Sequence, residues 1–136
     1  MIINVDFDGV VIPSDFEKRF FHVDGSWKVS IDEYVRMVNE SPTPQVNHKL
    51  LVYLHELSEI GHVIRLFTNR NYELEKKTSM VLDSYKSIFD SFLFCEGLKS
   101  KTKVEGVVVD NEEKYLSCGS QGGILYQWEG GGTLGF

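Results

Sequence analysis

The sequence predicts an α/β domain built on a five-stranded, mainly parallel sheet, and two observations carry that prediction. Short apolar runs alternate with helical patterns: Ile2-Ile3-Asn4-Val5, Val63-Ile64-Arg65-Leu66-Phe67, Phe92-Leu93-Phe94-Cys95, Val107-Val108-Val109 and Gly123-Ile124-Leu125-Tyr126-Gln127-Trp128. Such alternation implies βαβ units with right-handed crossovers. Three of the runs also end in polar residues with useful chemistry: Asp6 and Asp8, then Thr68 and Asn69, then Asp110 and Asn111. Open parallel sheets bind ligands at the carboxyl ends of their strands, so these ends are predicted to share one site.

The chain has 136 residues, is 42% hydrophobic and 25% charged, and has no Pro/Ser-rich linker, which suits one globular domain over 1–136. Fourteen basic against twenty acidic residues leave a net charge of −6. That balance argues against non-specific attraction to nucleic acid or to an anionic membrane. A strand-like start without a basic leader, and no apolar run of spanning length, predict a cytoplasmic protein with no membrane segment. Cys95 and Cys118 fall in no CxxC or Cys/His pattern and are expected to be reduced.

In the first strand, alternate side chains of extended backbone point the same way, so Asp6 and Asp8 leave its end on one side. Two anions that close need a cation if both are ionised. Magnesium, a hard oxygen-seeking ion, is the natural partner of paired carboxylates and usually brings substrate phosphates with it. Gly9 allows a sharp turn and a close ligand approach. The plainer reading is a strand that ends in an ordinary Asp-Gly turn.

Residues 11–45 read as a small flap-like insertion. Pro13 breaks regular structure. Phe20 to Val29, centred on Asp24-Gly25, carries a hairpin signal, and its aromatic residues either stand over the strand end or pack on the body. Ser30-Ile31-Asp32-Glu33 has the form of a capping box for a helix to about Asn39, with Tyr34, Val35 and Val38 inward. A second helix is expected from Thr43 as cap and Pro44 at its first position, burying Val46, Leu50, Leu54, Leu57 and Ile60 up to a stop at Gly61. His48 and His55 lack an evident third ligand and are read as surface residues. A third helix over 72–86 is expected to bury Leu74, Met80, Val81 and Tyr85. Its start follows Thr68, whose hydroxyl suits a phosphoryl oxygen, as do helix N-terminal N–H groups. Leu98 to Lys103 holds three lysines able to neutralise a phosphate, against the plainer reading of a solvated loop. The last strand is placed at a sheet edge, and the glycine tail after it, with no helix following, is no phosphate loop.

This arrangement resembles the haloacid dehalogenase superfamily of phosphatases and phosphotransferases over essentially the whole chain. The motifs that carry the likeness are Asp6-Phe7-Asp8-Gly9-Val10 after a strand, Leu66-Phe67-Thr68-Asn69, a lysine of variable position, and Val107 to Asp110 with Asn111-Glu112-Glu113. The resemblance implies a Rossmann-like three-layer sandwich. It implies Asp6 as nucleophile forming an aspartyl-phosphate and Asp8 as general acid, then base. It implies magnesium on Asp6, the Asp8 carbonyl and Asp110, with Asn111 beside them. Thr68, Asn69 and a lysine would hold phosphate oxygens. Lys101 is chosen because its spacing to the fourth strand resembles the 5′(3′)-deoxyribonucleotidase branch, with Lys99 second and Lys103 third. Asn111 departs from the pattern, since many members carry a second Asp there.

Cap modules in this superfamily follow the first motif or lie between the second and third, and neither interval here holds a full extra domain. The chain thus looks nearly capless, with an open site that oligomerisation can cover. The expected function is a magnesium-dependent phosphomonoesterase on a small phosphorylated substrate, tilted toward nucleotides by the hairpin aromatics and the lysine placement. The alternative is a binding or regulatory module with little turnover, suggested by Asn111.

Overall fold

The computed structural model describes residues 1–14, 19–22, 24, 26–95 and 103–130. In chain order the elements are β1 (Ile2–Val5), α1 (Ile31–Glu40), α2 (His48–Glu59), β2 (Val63–Thr68) and α3 (Glu75–Val81), then β3 (Ser91–Phe94), β4 (Val107–Asp110) and β5 (Gly123–Leu125). Short 3-10 segments cover Tyr72–Leu74, Asp83–Ile88 and Glu113–Cys118. The sheet order is β3-β2-β1-β4-β5 and every neighbouring pair is parallel. This is the α/β, Rossmann-like arrangement expected, with β5 at an edge.

The handedness of parallel crossovers explains how the layers are filled. From β1 the chain steps one way to β2 and β3, and from β4 it steps the other way to β5. Right-handed connections then put α1, α2 and α3 on one face and the Glu113–Cys118 turn on the other. The cores agree. Val5, Ile64, Leu66 and Val109 share the larger buried cluster with Tyr34, Val38, Leu51, Leu54, Leu74 and Leu82 of the helical layer. Their strand neighbours Phe67 and Val108 point the opposite way and join Cys95, Tyr115 and Cys118 in a smaller cluster. At about 1.5–3 kcal/mol for each large apolar side chain buried, the helical face supplies most of the hydrophobic stabilisation. Cys95 and Cys118 are buried and neither forms a disulfide.

α1 begins as its sequence predicts, with the Ser30 hydroxyl accepting from the Glu33 N–H at 3.1 Å. α2 differs: its cap is Asn47, not Thr43, and Pro44 lies outside the helix. The reason is a set of bonds that hold Asn47 in place. Its side-chain oxygen accepts from the Leu50 N–H at 3.1 Å, and its amide donates to the Val10 carbonyl at 3.1 Å and to the Tyr126 hydroxyl at 2.9 Å. Its own N–H donates to the Val11 carbonyl. A helix begun at Pro44 would forfeit these ties. α2 stops at Gly61, φ 103°, where the Gly61 and His62 N–H groups donate to the Ser58 and Leu57 carbonyls, the Schellman pairing. Ile60 ends up 74% exposed rather than buried, because it is the cap itself.

The predicted helix over 72–86 is split into 3-10, α and 3-10 pieces. Leu74, Thr78, Val81 and Leu82 are buried, a spacing that turns Met80 to solvent, contrary to the sequence reading. The hairpin forms: the His22 N–H donates to the Ser26 carbonyl and the Lys28 N–H to the Phe20 carbonyl. Its aromatics pack on α1, with Phe20 and Trp27 at 5.0 and 5.1 Å from the Tyr34 ring. His48 bonds Tyr85 and His55 pairs with Glu59, both at the surface. Among the described residues no helix is long and apolar enough to cross a membrane.

Candidate active site

The sheet reverses its order between β1 and β4, the switch point at which open α/β sheets offer a crevice. Asp6 and Asp110 flank it. The Asp6 N–H donates to the Val109 carbonyl at 2.9 Å, so pairing continues past the end of β1 and lays Asp6 beside the end of β4. Both carboxylates are buried, Asp6 6% and Asp110 1% exposed. Asp110 accepts from the Glu112 N–H at 2.9 Å, which fixes the turn after β4.

Asn111 joins the two acids. One end of its side-chain amide lies 3.0 Å from Asp6 Oδ2 and 3.2 Å from Asp110 Oδ1. With the nitrogen on that side, the amide donates to both carboxylates and offsets part of their repulsion. With the oxygen on that side, three hard oxygen donors converge. The other end of the amide rests over Gly9, φ 85°, where an added Cβ would lie 2.2 Å from it. Gly9 is therefore required both for its backbone angle and for the seat it leaves Asn111. The loop around it is closely tied: the Phe7 carbonyl accepts from Val11 at 2.9 Å, and Trp128 donates to the Gly9 carbonyl at 2.8 Å.

Asp8 is placed differently. Its carboxylate accepts two bonds from Arg70, Nε to Oδ2 at 3.0 Å and Nη2 to Oδ1 at 3.1 Å, a bidentate fork. Arg70 is itself 3% exposed. Its Nη1 donates to the Thr78 hydroxyl at 3.0 Å, and its guanidinium carbon lies 4.5 Å from the centre of the Phe7 ring. The sequence reading passed over Arg70 as one of several polar residues after β2. The available signal was a cation two positions beyond Thr68, at a strand end expected to face an aspartate.

Thr68 is buried at the end of β2 and accepts from the Arg70 N–H at 3.1 Å. Among the described residues no acceptor takes its O–H, which remains able to donate. Asn69 is half-buried, and its side-chain oxygen is buried without a partner among the described residues. Such a group invites a donor from outside the protein. Lys99 and Lys101 lie outside the described residues. Lys103 is exposed and precedes the amino end of β4, the end opposite to Asp110.

The expected metal residues are thus brought together in part. Asp6, Asp110 and Asn111 meet, while the Asp8 side chain is engaged by Arg70. Among the described residues no three His, Cys, Asp or Glu side chains cluster closely enough to hold a metal by themselves. Magnesium commonly takes one or two carboxylates and keeps several waters. Two carboxylates joined by the Asn111 amide fit that habit.

Compared with known proteins, the chain matches no family model, no curated protein and no solved structure.

Proposed function

We propose that this chain is a magnesium-dependent phosphomonoester hydrolase that works through an aspartyl-phosphate on Asp6, with nucleotides as the favoured substrate class. The observation that supports it most is that Asp6, Asp8, Thr68, Asp110 and Asn111 all lie at or just past the carboxyl ends of the adjacent strands β2, β1 and β4, with the Asn111 amide against both Asp6 and Asp110. An Asp6 oxygen attacks phosphorus as the bond to the leaving oxygen breaks, and Asp8 supplies the proton that oxygen needs. A water then attacks the phosphorus of the acyl phosphate, Asp8 takes its proton, and Asp6 is freed with release of orthophosphate. Thr68 donates to a non-bridging oxygen throughout. Magnesium, held by Asp6, Asp110, Asn111 and the Asp8 carbonyl, would supply charge neutralisation for the phosphoryl group.

The reading is tested by offering purified protein and magnesium p-nitrophenyl phosphate, nucleoside monophosphates, sugar phosphates and polynucleotide ends. Phosphate release is expected, and silence across that panel removes the proposal. The Asn111 amide between two carboxylates also favours a second reading, a binding module with little turnover. Trapping of beryllium fluoride at Asp6, or a detectable aspartyl-phosphate, would count against it.

A further inference from the structure

The carboxylate of Asp8 could point in several directions, because an aspartate side chain has two rotatable bonds and this one stands at the mouth of a turn. Its backbone is held by the bridge to Ile12 and by the Gly9 N–H donating to the Ile12 carbonyl at 3.0 Å, but those contacts leave the side chain unspecified. Among the described residues, both hydrogen bonds to the carboxylate come from Arg70. From this we infer that Arg70 is the positioning residue for Asp8, aiming it at the leaving oxygen of a phosphoester; the inference rests on the phosphatase reading above.

Arg70 is built for aiming rather than for binding substrate. Its side chain is 2% exposed and that of Asp8 13%, so of the pair it is the Asp8 carboxylate, not the guanidinium, that a substrate can reach. Three further contacts fix it: Thr78 of α3 takes Nη1, the Phe7 ring lies under the guanidinium, and the Arg70 N–H is anchored on the Thr68 hydroxyl. The planar fork fixes a carboxylate in angle as well as distance, which a lysine ammonium does not. The direction of the Asp8 side chain is thereby tied to β2 and α3. Displacing an acid or base by an ångström can cost about 10²-fold in rate.

The test exploits leaving-group chemistry. An alkyl phosphate needs its leaving oxygen protonated, whereas p-nitrophenolate departs without a proton. The ratio kcat/KM covers steps only as far as leaving-group departure, so it isolates the acid role of Asp8 from its later role as base. Arg70→Lys keeps the charge and loses the fork. It is expected to lower kcat/KM about 100-fold on an alkyl phosphate, such as a nucleoside monophosphate, and less than about 10-fold on p-nitrophenyl phosphate. Thr78→Val, which removes the hydroxyl that Nη1 bonds but leaves Arg70 in place, is expected to shift the same ratio about threefold. This second variant decides the matter if Arg70→Lys does not fold. A uniform loss on both esters, or a rise in KM with kcat intact, would overturn the inference, because a purely structural role or direct phosphate binding gives those results. Comparing the two esters is insensitive to the fraction of active protein. Failure of the wild-type chain on both esters removes the phosphatase reading, and the inference with it. Activity of the wild type with an unchanged ester ratio in both variants removes the inference alone.

Discussion

The two aspartates of the first strand end stand two residues apart yet live in opposite electrostatic settings. Asp8 meets a buried cation of the protein itself, in bidentate contact with Arg70. Asp6 meets a second buried anion, Asp110, across the neutral amide of Asn111. One half of the site pairs a carboxylate with a cation of the fold; the other sets two carboxylates on one amide. Like charges held close disfavour each other's ionised form and favour a cation beside them. The difference therefore separates the residue that the protein aims from the residues that await a cation and a phosphate.

The largest effect expected from breaking this comparison is at Asp6. Asp6→Asn removes the nucleophile and should lower phosphatase activity at least about 10³-fold. It also removes one of two like charges, so the metal-free protein should melt no lower than the wild type, which thermal unfolding checks. On the other half the sign reverses. Arg70→Leu strands a buried carboxylate and should cost about 3–5 kcal/mol in urea unfolding. The double change Arg70→Leu with Asp8→Leu should recover much of that loss. If the two single changes add without recovery, the fork is not the source of the cost.

Magnesium should sharpen the same contrast. At about 100 times its dissociation constant a ligand of the native state adds about 2.7 kcal/mol, so the midpoint of unfolding should rise with added magnesium. Asn111→Asp replaces two donated hydrogen bonds with a third negative charge. In the absence of metal it should destabilise the chain by on the order of 2 kcal/mol, and in its presence it should show a larger magnesium shift than the wild type. Equal responses of the two proteins would mean that Asn111 lies outside the cation's reach.

Much of this was legible before the fold was known. Alternating apolar runs and helical patterns give the parallel sheet because its strands are buried on both sides, and Asp6, Thr68 and Asp110 announce themselves as polar residues directly after such runs. What could not be read is what depends on partners remote in sequence. Arg70 looks like any surface arginine until β1 and β2 pair in register and bring it to Asp8. Asn47 outcompetes Thr43 and Pro44 as the start of α2 only because Val10, Val11 and Tyr126 are there to bond it. Met80 looked buried by local spacing, yet the α3 segment is short and its phase is set by Leu74 and Thr78 against the sheet. The Asn111 contact with Asp6 needs β4 beside β1, which no local pattern specifies.

The smallest effect lies in the hairpin that packs on α1. Asp24 accepts from the Ser26 N–H at 2.9 Å and from the Ser26 hydroxyl at 2.6 Å, and these bonds hold its carboxyl below the ordinary value of 3.8, the side-chain bond most of all. A carboxyl depressed in the folded state contributes stability that is complete above its unfolded pKa and is lost as pH falls through the folded one. The hairpin should therefore be insensitive to pH above about 5 and loosen only below about pH 4. Trp27, 4.4 Å from Phe21 and 5.1 Å from Tyr34, reports on that loosening by its fluorescence in a Trp128→Phe background. Asp24→Asn should abolish the acid transition of this signal without moving the unfolding midpoint at neutral pH by more than a degree or two, since the group is exposed. A transition that survives in Asp24→Asn would assign the acid sensitivity to another carboxylate and leave the hairpin held by its aromatic contacts alone.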